Sequence, residues 1–140
     1  MSALEPWVRD FLLAGTRTGA LATVRADSSP HVKPVWFTLD GDVLVFNTHR
    51  DSVAGKALLR DQRVAIAVDE PVPPFSFVLL RGRVEISTEP AQLRLWAGRI
   101  GGRYMGAERE EEFAARNGVP GELLLRLAPE RVVAARDIAE

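Results

Sequence analysis

The apolar runs of this chain follow one another through turns, and helical segments seldom stand between them. "GALATVRA", "HVKPVWFTL", "VLVFNT", "RVAIAVD" and "FSFVLLRGRVEIS" each carry the β-branched and aromatic residues of strands, with Asp27-Ser28-Ser29-Pro30 and the "DGD" around Gly41 as reversals. Parallel strands need a crossover of a dozen or more residues between neighbours, and most of these connections are too short to supply one. The order therefore predicts a mainly β, antiparallel barrel with peripheral helices. One short helix, "DSVAGKALLR", follows the third strand, and a longer helical excursion precedes the last strand, "GELLLRLAPERVVAAR", where Pro129 breaks or bulges the ladder. A barrel of about six strands is filled by its own side chains, so a ligand is expected outside it or between two copies.

The peripheral helices are signalled by spacing. Ser2 caps a segment with Leu4, Trp7, Val8, Phe11 and Leu12 on one face, and Gly15 is its expected stop. Thr88 is read as the cap of a helix with Glu89 and Pro90 in its first turn and Leu93, Trp96 and Ile100 on its apolar face. The glycines at 98, 101, 102 and 106 are expected to mark its end and a turn. A further helix, "GAEREEEFAARNG", stops at Asn117-Gly118, and its acidic run reads as a solvated face. "PVPPF" interrupts the sheet, and Gly82 predicts a bulge or bend in the long fifth strand.

Composition narrows the function. With 140 residues and no flexible linker, residues 1–140 read as a single domain. The formal net charge of -1 gives no broad basic field for nucleic acid, so no nucleic-acid partner is expected. There are no cysteines, and neither His31 nor His49 has a second ligand at helical metal spacing, so no metal site is assigned. The N-terminal apolar run is broken by Glu5, Arg9 and Asp10, and no later run approaches the roughly 20 residues that span a bilayer. A cytoplasmic protein without membrane association is the simplest expectation.

The stretch "NTHRDSVAGK" gathers Arg50, Ser52, Gly55 and Lys56 around a helix start, where backbone donors and the helix dipole favour an anion. Basic residues there oppose the dipole, so either an anion site or merely solvated charges would explain them. Arg50 replaces the first glycine of a Walker loop and Ala57 its Ser or Thr, which disfavours nucleotide hydrolysis. The glycines of "AGRIGGRYMGAE" do not fit G-x-G-x-x-G. Arg103 and Tyr104 either line a pocket or pack as a hinge, and His49 is a loop histidine near the cradle. Lys33, Pro34 and Trp36 mark an edge strand, left open for a flat ligand or protected against pairing. No G-x-S-x-G elbow is present.

Together the first hairpin from Gly19 to Phe37, "DSVAGKALLRDQRVAIAVDE", "PPFSFVLLRGRVEI" and "RYMGAEREEEFAARNGVPGELLLRL" resemble the pyridoxamine 5'-phosphate oxidase-like superfamily, particularly its deazaflavin (coenzyme F420)-dependent branch. The resemblance implies a six-stranded antiparallel split β-barrel of the FMN-binding type, forming a homodimer with its cofactor site at the subunit interface. It implies a ring against Lys33, Pro34, Val35, Trp36, Asn47 and Thr48, with a phosphate at Arg50, Ser52, Gly55 and Lys56. Phe75 and Phe77 of a partner subunit would close the pocket, with Arg103 and Tyr104 nearby. Relatives often carry a lysine where this chain has Ala54, a contact worth about 1.5–3 kcal/mol where it is charge-assisted.

The activity so implied is an oxidoreductase, passing a hydride from reduced F420 to an unsaturated small-molecule acceptor. Hydride transfer is cofactor chemistry, so a missing acid, base or nucleophile motif is compatible with it. Two alternatives share the cradle: an FMN-binding oxidase or flavin reductase, and a non-catalytic cofactor-binding module.

Overall fold

The computed structural model describes residues 3–140, so the cap expected at Ser2 lies outside the described residues. Helix α1 (Pro6–Leu13) starts with a proline at N1, where the missing N–H costs nothing, and gives way at Ala14 to Gly15 with φ of 59°. Strands β1 (Gly19–Val24), β2 (Pro30–Val35), β3 (Thr38–Asp40) and β4 (Val43–His49) lead into helix α2 (Val53–Arg60). Strands β5 (Arg63–Glu70) and β6 (Ser76–Ser87) precede helix α3 (Pro90–Met105), a 3-10 turn (Ala107–Arg109) and helix α4 (Glu110–Asn117). Strands β7 (Glu122–Leu127) and β8 (Arg131–Ala135) complete the chain. Among the described residues no helix is long and apolar enough to cross a membrane.

All paired strands are antiparallel, in the order β2-β1-β5-β6-β7-β4-β3, with β8 added to β6. The eight strands exceed the expected six because two runs change partners midway. "HVKPVWFTL" pairs with β1 as far as Val35, crosses over at Trp36-Phe37, and pairs with β4 from Thr38. The last run divides around Pro129: β7 joins β4 and the second half of β6, whereas β8 joins the first half of β6. Gly82 stands at that division. A Cβ there would lie 3.0 Å from Leu127 Cδ1 and 3.2 Å from the Glu130 nitrogen, so Gly82 leaves room for the strand change; β6 pairs with β5 in one unbroken register through it, without the bulge expected there.

The barrel interior is filled by its own side chains, with Leu21, Phe37, Phe46, Ile66, Leu80 and Leu125 all fully buried. A second apolar cluster, Val45, Leu93, Trp96, Ile100 and Leu124, fastens α3 to the outside of β4 and β7. Glu89, rather than Thr88, caps α3 by accepting a hydrogen bond from the Gln92 N–H at 2.8 Å. The glycines expected to end that helix lie inside it instead. Gly98, Gly101 and Gly102 are buried where α4 crosses, and a Cβ on Gly101 would sit 2.2 Å from Phe113 Cβ. They serve close helix packing, and only Gly106, with φ of 119°, ends the helix.

This packing gives a direct test. Gly101→Ala gains about 1 kcal/mol of helix propensity, but its methyl group overlaps Phe113. We expect a net loss of roughly 1–3 kcal/mol in urea unfolding; an unchanged or raised midpoint would contradict the close crossing of α3 and α4.

Candidate functional site

The crossover between β2 and β3 borders the groove in which residues of β2 and β4 meet. Phe37 is fully buried, so its backbone groups need partners even though it belongs to neither strand. Both partners come from the end of α3. The Phe37 N–H donates to the Tyr104 hydroxyl at 3.3 Å, and the Phe37 carbonyl accepts from Arg103 Nη1 at 2.6 Å. Arg103 Nη2 also donates to the Leu12 carbonyl at 2.7 Å, while the Tyr104 hydroxyl donates to the Arg17 carbonyl at 2.7 Å. The guanidinium lies 4.7 Å from the Phe37 ring centroid. Burial pushes the Arg103 pKa below its ordinary value and the Tyr104 pKa above its own. Arginine remains a cation through such a shift, and a neutral tyrosine keeps the hydroxyl proton it donates.

With the crossover held in this way, β2 has no partner on its outer edge and the barrel wall is split. Pro34 is tolerated because an edge strand can lose one donor. A groove of about 390 Å³ lies along the split, bordered by Lys33, Pro34, Val35 and Trp36 on one side and Asn47, Thr48, His49 and Ser52 on the other. Ile100, Asn117 and Glu122 close its end. Trp36 is stacked on Tyr104 with ring centroids 4.8 Å apart and planes 4° from parallel, so one indole face is already covered. The arrangement suits a flat, partly aromatic ligand with a polar end toward α2.

The beginning of α2 is tightly used. Ser52 Oγ accepts from the Gly55 N–H at 2.9 Å and donates to the His49 carbonyl at 2.7 Å. Its one proton is therefore committed, so Thr48 is the donor in the 3.0 Å contact between the two hydroxyls. The N–H groups of Val53 and Ala54 have no acceptor within the helix. Gly55 has a reason of its own: a Cβ there would stand 2.1 Å from the His49 carbonyl oxygen, so the close approach expected of a ligand is made by β4 itself. Ala54 is fully buried against the barrel core, a place unsuited to a lysine cradling an external phosphate.

Of the residues singled out in the sequence, Lys33, Pro34, Val35, Trp36, Asn47, Thr48 and Ser52 meet in the groove. Lys56 projects from the first turn of α2 and is exposed, with no ion-pair partner among the described residues. Arg50 lines a neighbouring cavity instead, its N–H fixed to the Gly121 carbonyl at 2.9 Å. Phe75 and Phe77 lie at the start of β6, away from this groove. Arg103 and Tyr104 act behind the wall, the first through backbone carbonyls and the second through Trp36. Sequence reasoning missed Ile100, Asn117 and Glu122. Glu122 enters because β7 pairs with β4, placing it opposite His49 and within 2.6 Å of the Asn47 amide, which donates to it.

The family model for pyridoxamine 5'-phosphate oxidase matches residues 4–135, and the chain belongs to that family, largely one of flavin-binding oxidoreductases. Among solved structures, a conserved hypothetical protein from Mycobacterium tuberculosis superposes with a TM-score of 0.84 at 23% identity, over 100% of this chain and 90% of its own. A protein named F420 reductase superposes with a TM-score of 0.70 at 28% identity, over 87% and 93% of the two chains. General stress protein 26 from Bacillus anthracis gives 0.65 at 19% identity, over 90% and 92%. No curated protein matches this chain.

The crossover network makes a graded prediction. Arg103→Ala leaves the Phe37 and Leu12 carbonyls without this donor, along with a longer contact to the Gly15 carbonyl, and should cost roughly 2–6 kcal/mol of stability, at about 1–3 kcal/mol for each of the first two. Tyr104→Phe keeps the ring over Trp36 and loses only the hydroxyl bonds, about 1–2 kcal/mol. Chemical denaturation of the two variants checks the order, and equal, negligible losses would show that the crossover does not need them.

Proposed function

We propose that the protein is an F420-dependent reductase that binds its cofactor in the split beside β2 and reduces an unsaturated small molecule. The observation that carries this reading is the groove itself, a wall carrying Trp36 stacked on Tyr104 that runs to Ser52, the N-cap of α2. The 28% identity to a protein named F420 reductase supports it. Lys33, Pro34, Val35 and Trp36 would orient the ring, with Asn47 and Thr48 across from them. The exposed Val53 N–H and Lys56 would receive the phosphate, with Ser52 shaping that end as a cap. When bound, the reduced deazaflavin supplies the hydride. The chain's own contribution is to fix the ring plane against Trp36 and to keep water from the face that meets the acceptor.

A homodimer belongs to the same proposal. The outer face of β1, β2, β5, β6 and β8 carries an uncovered apolar stretch, with Val32 61% exposed beside Ala22 and Val133 37% exposed beside Leu79, bordered by Arg63, Arg81, Arg83 and Arg131. Phe77 shares that face, since Val78 and Leu80 alternate with it into the core. A second copy seated there would cover the patch and bring its Phe75 and Phe77 toward the groove, in a cytoplasmic enzyme. Sedimentation should give twice the 15.4 kDa chain mass, and a monomer would contradict this part.

The family's own name favours one other reading, FMN as the cofactor of an oxidase or flavin reductase. Titration with both cofactors separates them. We expect colourless protein that binds F420 at least about tenfold more tightly than FMN, with Lys56→Ala weakening F420 by roughly 1–3 kcal/mol. A yellow protein with a flavin spectrum, or tighter FMN binding, would overturn the F420 reading. Binding without oxidation of reduced F420 by any of a panel of enones would leave a cofactor-binding module.

A further inference from the structure

A second cavity, of about 310 Å³, lies on the other side of Glu122 from the groove and shares only that residue with it. Its body is apolar, formed by Pro90 and Leu93 from the first turn of α3 and by Val119 and Pro120 from the connection between α4 and β7. Its charged members are Arg50, Arg94 and Glu122. Neither arginine has an ion-pair partner among the described residues, whereas six ion pairs form elsewhere among them. Glu122 accepts a hydrogen bond from Asn47, which holds the carboxylate at the boundary between the two spaces.

The walls are fixed rather than loose. At one end the Arg50 N–H binds the Gly121 carbonyl; at the other, a Cβ on Gly118 would lie 2.7 Å from Arg94 Cα, so the connection is seated directly on α3. Gly121 adopts φ of 97°, a conformation that admits few other residues. A cavity of this size, apolar in body and with a few charged groups at its border, has the character of a small-molecule site. Two guanidinium groups against one carboxylate leave a single excess positive charge, which matches a monoanion better than a phosphate monoester carrying nearly two negative charges.

We propose that this cavity is a separate site for a small monocarboxylic acid with an apolar body, its carboxylate held by Arg50 and Arg94 and its hydrocarbon part against Leu93, Val119 and Pro120. The site does not depend on the cofactor reading, because it shares neither Trp36 nor the start of α2 with the groove. It gives Arg50 a partner of its own, in a place where the cofactor's phosphate is not needed to explain the charge.

The test uses the full chain labelled with nitrogen-15, titrated with benzoate, trans-cinnamate, hexanoate and decanoate, and with the primary amide of each. At least one acid should bind with Kd below about 1 mM, shifting the amide signals of Leu93, Val119 and Gly121. Its amide should bind about tenfold more weakly or worse. Arg94→Ala, a change at an exposed position of α3, should weaken the acid by a similar factor and leave the amide unaffected. Adding saturating F420 should leave acid binding unchanged. Absence of binding by all four acids, equal binding of acid and amide, or insensitivity to Arg94→Ala would overturn the proposal. Displacement of the acid by F420 would assign the cavity to the cofactor and also overturn it, whereas failure of F420 to bind, with acid binding intact, would count only against the reductase reading.

Discussion

The backbone of one residue, Phe37, sets the terms for the rest of the molecule. A chain leaving one sheet edge for another must pass through a position where its N–H and carbonyl belong to no ladder, and here that position is fully buried. Arg103 and Tyr104, adjacent at the end of α3, satisfy the two groups, one as donor and the other as acceptor. The same pair reaches the carbonyls of Leu12 and Arg17, so α1, the connection into β1 and the crossover are tied to one helix end. The groove wall thus rests on polar satisfaction in the core, and Trp36 reaches the surface because the next residue must be buried.

Chain economy also shapes α3 and α4. Three glycines in the middle of a helix cost propensity, about 1 kcal/mol each relative to alanine. They are tolerated because α4 approaches so closely that its residues, Phe113 above all, occupy the space their side chains would need. That contact brings Phe113 within 6.0 Å of Trp36, so the outer helices support the groove wall as well as covering the barrel. Gly55 is a parallel case at the other end of the groove, where the demand comes from the His49 carbonyl.

Much of the fold was legible because turns and proline breaks are local signals: the hairpin turning at Asp27 to Pro30, the reversal at Gly41 and the loop of "PVPPF" need no tertiary information. The strand changes were not legible. Val35, Phe37 and Leu39 keep a two-residue alternation straight through the crossover, so the pattern is the same whether the chain changes partners or not. The glycines of α3 read as an ending because their purpose lies on another helix. In the site, Lys33, Pro34 and Trp36 were marked by a proline in an edge strand and Ser52 by its place at a helix start, whereas Val35, Asn47 and Thr48 came only with the family resemblance. Glu122 and Asn117 were not, since only the pairing of β7 with β4 brings them there. Arg103 and Tyr104 were noticed for the right chemistry, polar side chains beside glycines, and their partners proved to be backbone groups.

Amide hydrogen exchange, followed with and without saturating F420, tests the central claim that the open edge of β2 receives the cofactor. Slowed exchange is expected at Val32 and Trp36, which share the parity of Pro34 on that edge, and at Val53 in the first turn of α2, with little change along β5. Protection confined to other surfaces, with the β2 edge exchanging as before, would contradict it.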